Sequence, residues 1–229
     1  MSLLDALKGG LIVSVQARGG SALDDPAVLA ALARAAQDAG GRAVRVAGTA
    51  NLDAVRRRVD LPIVGIIKRA YPGYAPYITA TLNEVRDVLK CGAQIVAFDA
   101  TGRPRPDGST TQDVVHAIHA GGALAMADCA TVADGPAARM AGADILATTL
   151  CGYTEETAGR SLPAFDVVAA YSELETFVIC EGGIHQPAQA ARAREAGAHA
   201  VVVGTAITNT EWLVQQYAAA LAPQRSSQA

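Results

Sequence analysis

Eight short aliphatic runs recur along the chain, and each is followed by a stretch with the makeup of a helix. This rhythm constrains the fold more than any single motif does. The runs are Leu11–Val15, Ala43–Val46, Ile63–Ile67, Ile95–Phe98, Leu124–Ala127, Ile145–Thr148, Phe177–Cys180 and Ala200–Val203. Runs this short, and mostly this rich in Val and Ile, read as strands buried on both faces, which is the habit of parallel sheets. Parallel neighbours need crossover connections, and helices supply them. The first such helix is expected over Ala27–Ala39, opened by Asp24, Asp25 and Pro26 and stopped by Gly40. Others follow at Leu52–Arg58, Thr81–Lys90, Thr111–Ala120, Thr131–Ala141 (with Thr131 as its N-cap), Phe165–Tyr171, Pro187–Ala196 and Thr210–Leu221. The pairs Gly92-Ala93, Gly142-Ala143 and Gly197-Ala198 each end a helix and precede a strand, a weak internal echo of two strand–helix units. The expected fold is one closed (β/α)8 TIM barrel over residues 1–222, with 223–229 as a frayed tail. A doubly wound open sheet is the alternative; the even rhythm and the lack of a lone GxGxxG turn argue against it.

Composition narrows the function. Of 229 residues, 51% are hydrophobic, enough for a large core. A formal charge of −3 offers no footprint for nucleic acid. The basic run Arg56-Arg57-Arg58 is short and reads as the solvated end of a helix. No apolar stretch approaches the ~20 residues of a membrane span, and MSLLDALKGG lacks the features of a signal peptide. Cys91, Cys129, Cys151 and Cys180 are scattered without a CxxC pair, so zinc is not expected. Reduced thiols in a cytoplasmic protein account for them.

The residues at the carboxyl ends of the eight runs are Gln16, Arg45, Lys68, Asp99, Asp128, Thr148, Glu181 and Gly204. In a (β/α)8 barrel they ring the mouth where ligands bind. Lys68 closes the run IVGIIK, and an ammonium there demands partners or a function. It either answers a neighbouring carboxylate or takes part in chemistry. Lys68, Asp128 and Glu181 together are harder to assign to structure alone than any one of them. Asp99 either ties down its own loop or pairs with Arg103 or Arg105, and Thr148 reads as structural. After the last two runs come EGGI (181–184) and GTAIT (204–208). Small residues there let backbone N–H groups approach an anion, and the loops after strands seven and eight are the usual phosphate site of this barrel. No Walker pattern accompanies them. His116 and His119 fall mid-helix and read as surface. His185 reads first as a helix-start residue, and Tyr153 either reaches the ligand or steadies its own loop.

At these residues the chain resembles the N-acetylmannosamine-6-phosphate 2-epimerases. The matching pieces are SVQA (14–17), VGIIKR (64–69), FDATGRPRPDG (98–108), MADCAT (126–131), ATTLCGYT (147–154), EGGIH (181–185) and AVVVGTAIT (200–208). Ala47 and Gly183 depart from the family's usual residues. The resemblance implies a barrel of the ribulose-phosphate-binding type that takes a small phosphosugar and needs no metal, nucleotide or other cofactor. It implies interconversion of N-acetylmannosamine 6-phosphate and N-acetylglucosamine 6-phosphate, in amino-sugar and sialic acid catabolism. By position, Lys68 and Glu181 would carry proton transfer. Gln16, Arg45, Asp128 and Tyr153 would hold the sugar, with Gly183, Gly204 and Thr205 at the phosphate. The assembly considered is a homodimer. Two other readings fit the same residues: a Schiff-base phosphosugar aldolase using Lys68, and a phosphosugar-binding protein without activity.

Overall fold

In the computed structural model, which describes residues 2–222, eight parallel strands pair in chain order and close into a barrel. They are β1 (Leu11–Val15), β2 (Ala43–Ala47), β3 (Ile63–Ile66), β4 (Ile95–Asp99), β5 (Leu124–Asp128), β6 (Ile145–Ala147), β7 (Phe177–Glu181) and β8 (Ala200–Val203). Closure comes from β8 pairing with β1, with Leu11 opposite Val201. An open doubly wound sheet has two free edges, so that alternative is excluded. The tail expected at 223–229 lies outside the described residues.

Period-2 alternation divides each strand between two cores. Ile12, Ala43, Val64, Ile66, Ile95, Ala97, Met126, Ile145, Ala147, Ile179, Ala200 and Val202 point inward and fill the barrel. Val13, Val15, Val44, Val46, Val96, Phe98, Leu146, Val178, Val201 and Val203 point outward and pack beneath the helices. The same parity carried one step further along each strand aims Gln16, Arg45, Lys68, Asp99, Asp128, Glu181 and position 204 inward at the mouth. Polar groups stand there because the apolar layers stop below them.

The outer ring is α2 (Pro26–Asp38), α3 (Thr49–Arg56), α4 (Leu82–Lys90), α5 (Thr111–Ala120), α6 (Asp134–Met140), α7 (Phe165–Ser172), α8 (Pro187–Glu195) and α10 (Thr210–Leu221). Gly65 lets α4 approach β3: a Cβ there would meet Val88 Cγ1 at 2.5 Å and the Ala93 Cβ at 2.8 Å. Arg56 ends α3 and donates to the Gln94 side chain and the Gly92 carbonyl, while Arg57 and Arg58 are exposed. Two short helices were not expected from the sequence. One is α1 (Leu3–Leu7), opened by a Ser2–Asp5 capping box; its buried Leu7 joins the interior core. The other is α9 (Thr205–Thr208), directly after β8. The sixth helix begins at Asp134 rather than Thr131. Asp134 accepts from the backbone N–H groups of Ala130 and Thr131, so that stretch is a turn held by its carboxylate.

Candidate active site

Arg45, on β2, is the centre of the mouth. Its side chain is 1% exposed and that of Asp128 is 0% exposed. Nη1 and Nη2 donate to Asp128 Oδ1 at 3.0 Å and Oδ2 at 2.6 Å, a bidentate fork. Nη1 also donates to Glu181 Oε2 at 2.8 Å. One guanidinium therefore serves two carboxylates. Burial opposes the charge on Arg45, but Asp128 and Glu181 outweigh it and hold the pKa above the ordinary arginine value.

Glu181 ends β7 and is clamped through its backbone. Its N–H donates to Thr148 Oγ1 at 3.0 Å, and Thr148 Oγ1 donates to the Glu181 carbonyl at 2.9 Å. Burial pushes the Glu181 carboxyl above the usual carboxylate range. Arg45 opposes that rise and Asp128 adds to it.

Lys68 lies two residues past β3 and lines the cavity. A bridge to Ile78 fixes its backbone, and Arg69 N–H donates to the Tyr77 carbonyl at 2.9 Å. Lys68 is exposed at the opening, and the surrounding mouth desolvates the ammonium enough to pull its pKa below the ordinary lysine value. Arg45 acts in the same direction, with Glu181 and Asp128 opposing. Among the described residues, Lys68 makes no salt bridge; the nearby carboxylates are taken by Arg45. A lysine serving only as a counter-ion would show the reverse.

These groups open into a cavity of about 310 Å³. Gln16, Arg45, Lys68, Glu181, Tyr153, Gly183, Gly204 and Thr205 all line it. Asp128 does not: it stands behind the wall and meets the cavity through the Arg45 guanidinium and the Thr149 hydroxyl. Asp99 is also off the wall. It accepts from Thr101 Oγ1 at 2.6 Å and Arg103 Nη2 at 2.6 Å, which ties down its own loop. Tyr153 is 56% exposed and sits at the rim. Gln16 Oε1 and Arg45 Nε are buried without a protein partner, leaving hydrogen-bonding capacity at the mouth uncommitted.

The far end of the cavity is built from backbone. Gly182 (φ +107°) and Gly183 (φ +70°) follow Glu181 in the left-handed region. A Cβ at Gly183 would come within 2.3 Å of the Leu162 Cβ, so a side chain there requires Leu162 to move. Gly204 caps α9, whose first turn leaves its leading N–H groups free of intrahelical partners. Thr208 Oγ1 donates to the Ser14 carbonyl at 2.9 Å and fastens this turn to β1. The loops after strands seven and eight with a short extra helix are the phosphate site of many (β/α)8 enzymes.

Several cavity residues were not singled out in the sequence: Thr149, Tyr77, Ser14, Arg18 and Asn209. Strand parity could have found Thr149. Ile145 and Ala147 face inward, so the next inward position is 149 and not 148. His185 both lines the cavity and leads into α8, packing against Trp212 with the rings tilted by 35° and their centroids 4.8 Å apart. His119 bonds Asp144 at 2.8 Å on the outside. Cys180 is buried, its thiol pushed up to about 11, and points away from the mouth into the outer core. Among the described residues, no cluster of three or more His, Cys, Asp or Glu is placed to hold a metal, and no helix is long and apolar enough to cross a membrane.

Fold and mouth together define a (β/α)8 barrel with a cluster of ionisable side chains at the carboxyl ends of its strands, the place of the active site in barrel enzymes. Comparison with known proteins narrows the class. The family model described as "Putative N-acetylmannosamine-6-phosphate epimerase" matches residues 29–223. A protein of Enterobacter sp. (strain 638) named "Putative N-acetylmannosamine-6-phosphate 2-epimerase" is 43% identical over 228 residues, covering 96% of each chain. One of the same name from Corynebacterium glutamicum (strain R) is 44% identical over 94% of each chain. The solved structure of the N-acetylmannosamine-6-phosphate 2-epimerase from Clostridium perfringens superposes with a TM-score of 0.93 at 37% identity, over 96% of this chain and 97% of that one. The chain belongs to the N-acetylmannosamine-6-phosphate 2-epimerase family.

Proposed function

We propose that the chain interconverts N-acetylmannosamine 6-phosphate and N-acetylglucosamine 6-phosphate by moving a proton at carbon 2, with Lys68 and Glu181 as its carriers. The observation that carries this reading is the uncommitted Lys68 ammonium sharing one cavity with Glu181. The carbon 2 proton is acidic only beside a carbonyl, so the reacting form is the open-chain aldehyde. The Lys68 pKa is lowered and that of Glu181 is raised. Shifts toward each other suit a base and an acid working near neutrality. Lys68 as neutral amine takes the proton, and Glu181 as carboxylic acid supplies one. Arg45, fixed by its two carboxylates, is a preorganised cation for the developing enolate oxygen. A donor so placed contributes on the order of 3–4 kcal/mol. Gln16 and Tyr153 hold the sugar, Asp128 holds Arg45 in place, and Gly183, Gly204 and Thr205 take the phosphate through backbone N–H groups.

The phosphate grip supplies remote binding energy that orients the reacting carbon. N-acetylmannosamine without phosphate is therefore expected to show kcat/KM lower by at least ~10²-fold. Gly204→Asp, which sets a carboxylate at the anion site, is expected to raise KM for the phosphorylated sugar. Equal kcat/KM for the two sugars would reject the phosphate assignment.

The assembly proposed is a homodimer in the cytoplasm. Its support is α10, where Val214, Tyr217 and Leu221 are 60%, 73% and 85% exposed, and four cysteines without a disulfide among them. Light scattering at micromolar concentration is expected to give twice the chain mass, and a monomer mass would reject it.

A further inference from the structure

We propose that Thr149 is a positioning residue that holds the proton on Glu181, by giving its own hydroxyl hydrogen to Asp128 and accepting one from the Glu181 carboxyl. Thr149 stands two residues beyond the end of β6 and faces the mouth by strand parity. Its Oγ1 lies 2.6 Å from Asp128 Oδ1 and 3.1 Å from Glu181 Oε2. Arg45 Nη1 reaches the same two oxygens, at 3.0 Å and 2.8 Å. Two carboxyl oxygens thus share one guanidinium nitrogen and one hydroxyl.

A threonine hydroxyl carries one hydrogen and can give it to only one of them. The 2.6 Å contact has the length of an O–H bond to a carboxylate ion, and the 3.1 Å contact is the longer and weaker of the two. The hydrogen therefore belongs to Asp128. That turns an oxygen lone pair of Thr149 toward Glu181. The lone pair repels an ionised carboxylate but accepts the hydrogen of a carboxylic acid. Charge counting agrees. Asp128 takes the full fork of Arg45, so one positive charge is matched before Glu181 is counted. The groups that face Glu181 are Arg45 from β2, Lys68 from the loop after β3, Asp128 from β5 and Thr149 from the loop after β6. Arg45 also reaches Glu181 at 2.8 Å, but its single charge is shared with Asp128, and Lys68, the second cation, makes no salt bridge with Glu181. When Glu181 gives its proton to substrate, the hydroxyl can turn about its Cβ–Oγ bond toward the new anion with no heavy atom moving. Thr148 and Thr149 thus divide the work: the first clamps the Glu181 backbone and the second its proton.

Glu181 as acid rests on the epimerase reading. Its titration does not, so the two can fail separately. The test is pH-difference infrared spectroscopy of the whole protein. The carboxylic acid carbonyl band of Glu181 is assigned by its loss in Glu181→Gln. Thr149→Val and Thr149→Ala are expected to lower the midpoint of that band by about one pH unit or more, a tenfold change in the ionisation constant. Thr149→Ser, which keeps the hydroxyl, is expected to restore the wild-type midpoint. The alkaline limb of kcat/KM should move with the band. A merely space-filling Thr149 would leave the midpoint unchanged, and that result overturns the proposal. A raised midpoint overturns it too, since it means the hydroxyl donates to Glu181. So does the absence of any titrating band from Glu181 in the wild type. The alanine variant carries the test if the valine variant fails to fold.

Discussion

Alanine at Lys68 or at Glu181 is expected to lower turnover by at least ~10²-fold, the scale of lost general acid–base catalysis. Proton NMR in heavy water separates the roles. Wild-type protein should place deuterium at carbon 2 as the sugar inverts. If each residue is required for every proton movement, both variants lose inversion and exchange together. If each serves one face, one variant still exchanges deuterium into unreacted sugar without inverting it, which assigns two bases. Both variants should still bind the phosphorylated sugar, because the proposed phosphate cradle of Gly183, Gly204 and Thr205, which line the cavity, is untouched. Near-normal turnover in Lys68→Ala would sink the mechanism proposed above. Trapping of sugar on Lys68 by borohydride would move the chain to the aldolase reading.

The second large effect falls on stability. Arg45→Met is expected to destabilise the fold by about 3–5 kcal/mol, because it leaves two carboxylates at the mouth without their cation. For a chain of this size that is a thermal midpoint lower by roughly 6–20 °C. The loss should grow with pH. Arg45 is the main charge opposing the rise in the Glu181 pKa, so without it that pKa climbs further. A carboxyl whose folded pKa exceeds its unfolded value of about 4.3 favours the native state below that value. It gives up that advantage as pH rises toward the folded pKa. The gap between variant and wild type should therefore be smallest below about pH 4 and widest at pH 8. Arg45→Lys should recover little, since an ammonium cannot make the fork to Asp128. Adding Asp128→Asn and Glu181→Gln to Arg45→Met should recover part of the loss, as removing a whole buried charge cluster costs less than removing one partner. A thermal midpoint within two degrees of wild type at pH 8, about 0.5–1 kcal/mol on the same scale, would show that Arg45 is not the counter-ion of this site.

The barrel was legible because its signal repeats. Eight runs with helices between them leave few ways to bury apolar strands on both faces, and the even rhythm favours a closed barrel, which the β8–β1 pairing completes. The two elements missed, α1 and α9, are a five-residue and a four-residue helix. Neither is long enough to show an apolar period, and both are held by contacts made elsewhere: Leu7 by the barrel interior and Thr208 by the Ser14 carbonyl. Lys68, Glu181, Arg45 and Gln16 were legible because a polar residue at the end of an apolar strand needs a reason. Thr149 is found only by carrying the alternation of Ile145 and Ala147 one step past the run, which a reading of the run's last residue as its mouth position stops short of.

The sequence by itself determined the eight-stranded barrel, the mouth at which its ionisable residues gather and, through motifs spread over most of the chain, the family. Those properties live in local pattern: period, strand ends and glycine turns. Only the tertiary structure decided how the charges are shared. Arg45, Asp128 and Glu181 are separated by 83 and 136 positions from the first to each of the others, and only barrel closure brings them within hydrogen-bond reach. It is this pairing that commits Arg45 to both carboxylates, sets Asp128 behind the cavity wall and leaves Lys68 without a salt bridge. Coulomb energy depends on distance and on burial, and neither is a property of the chain until it has folded.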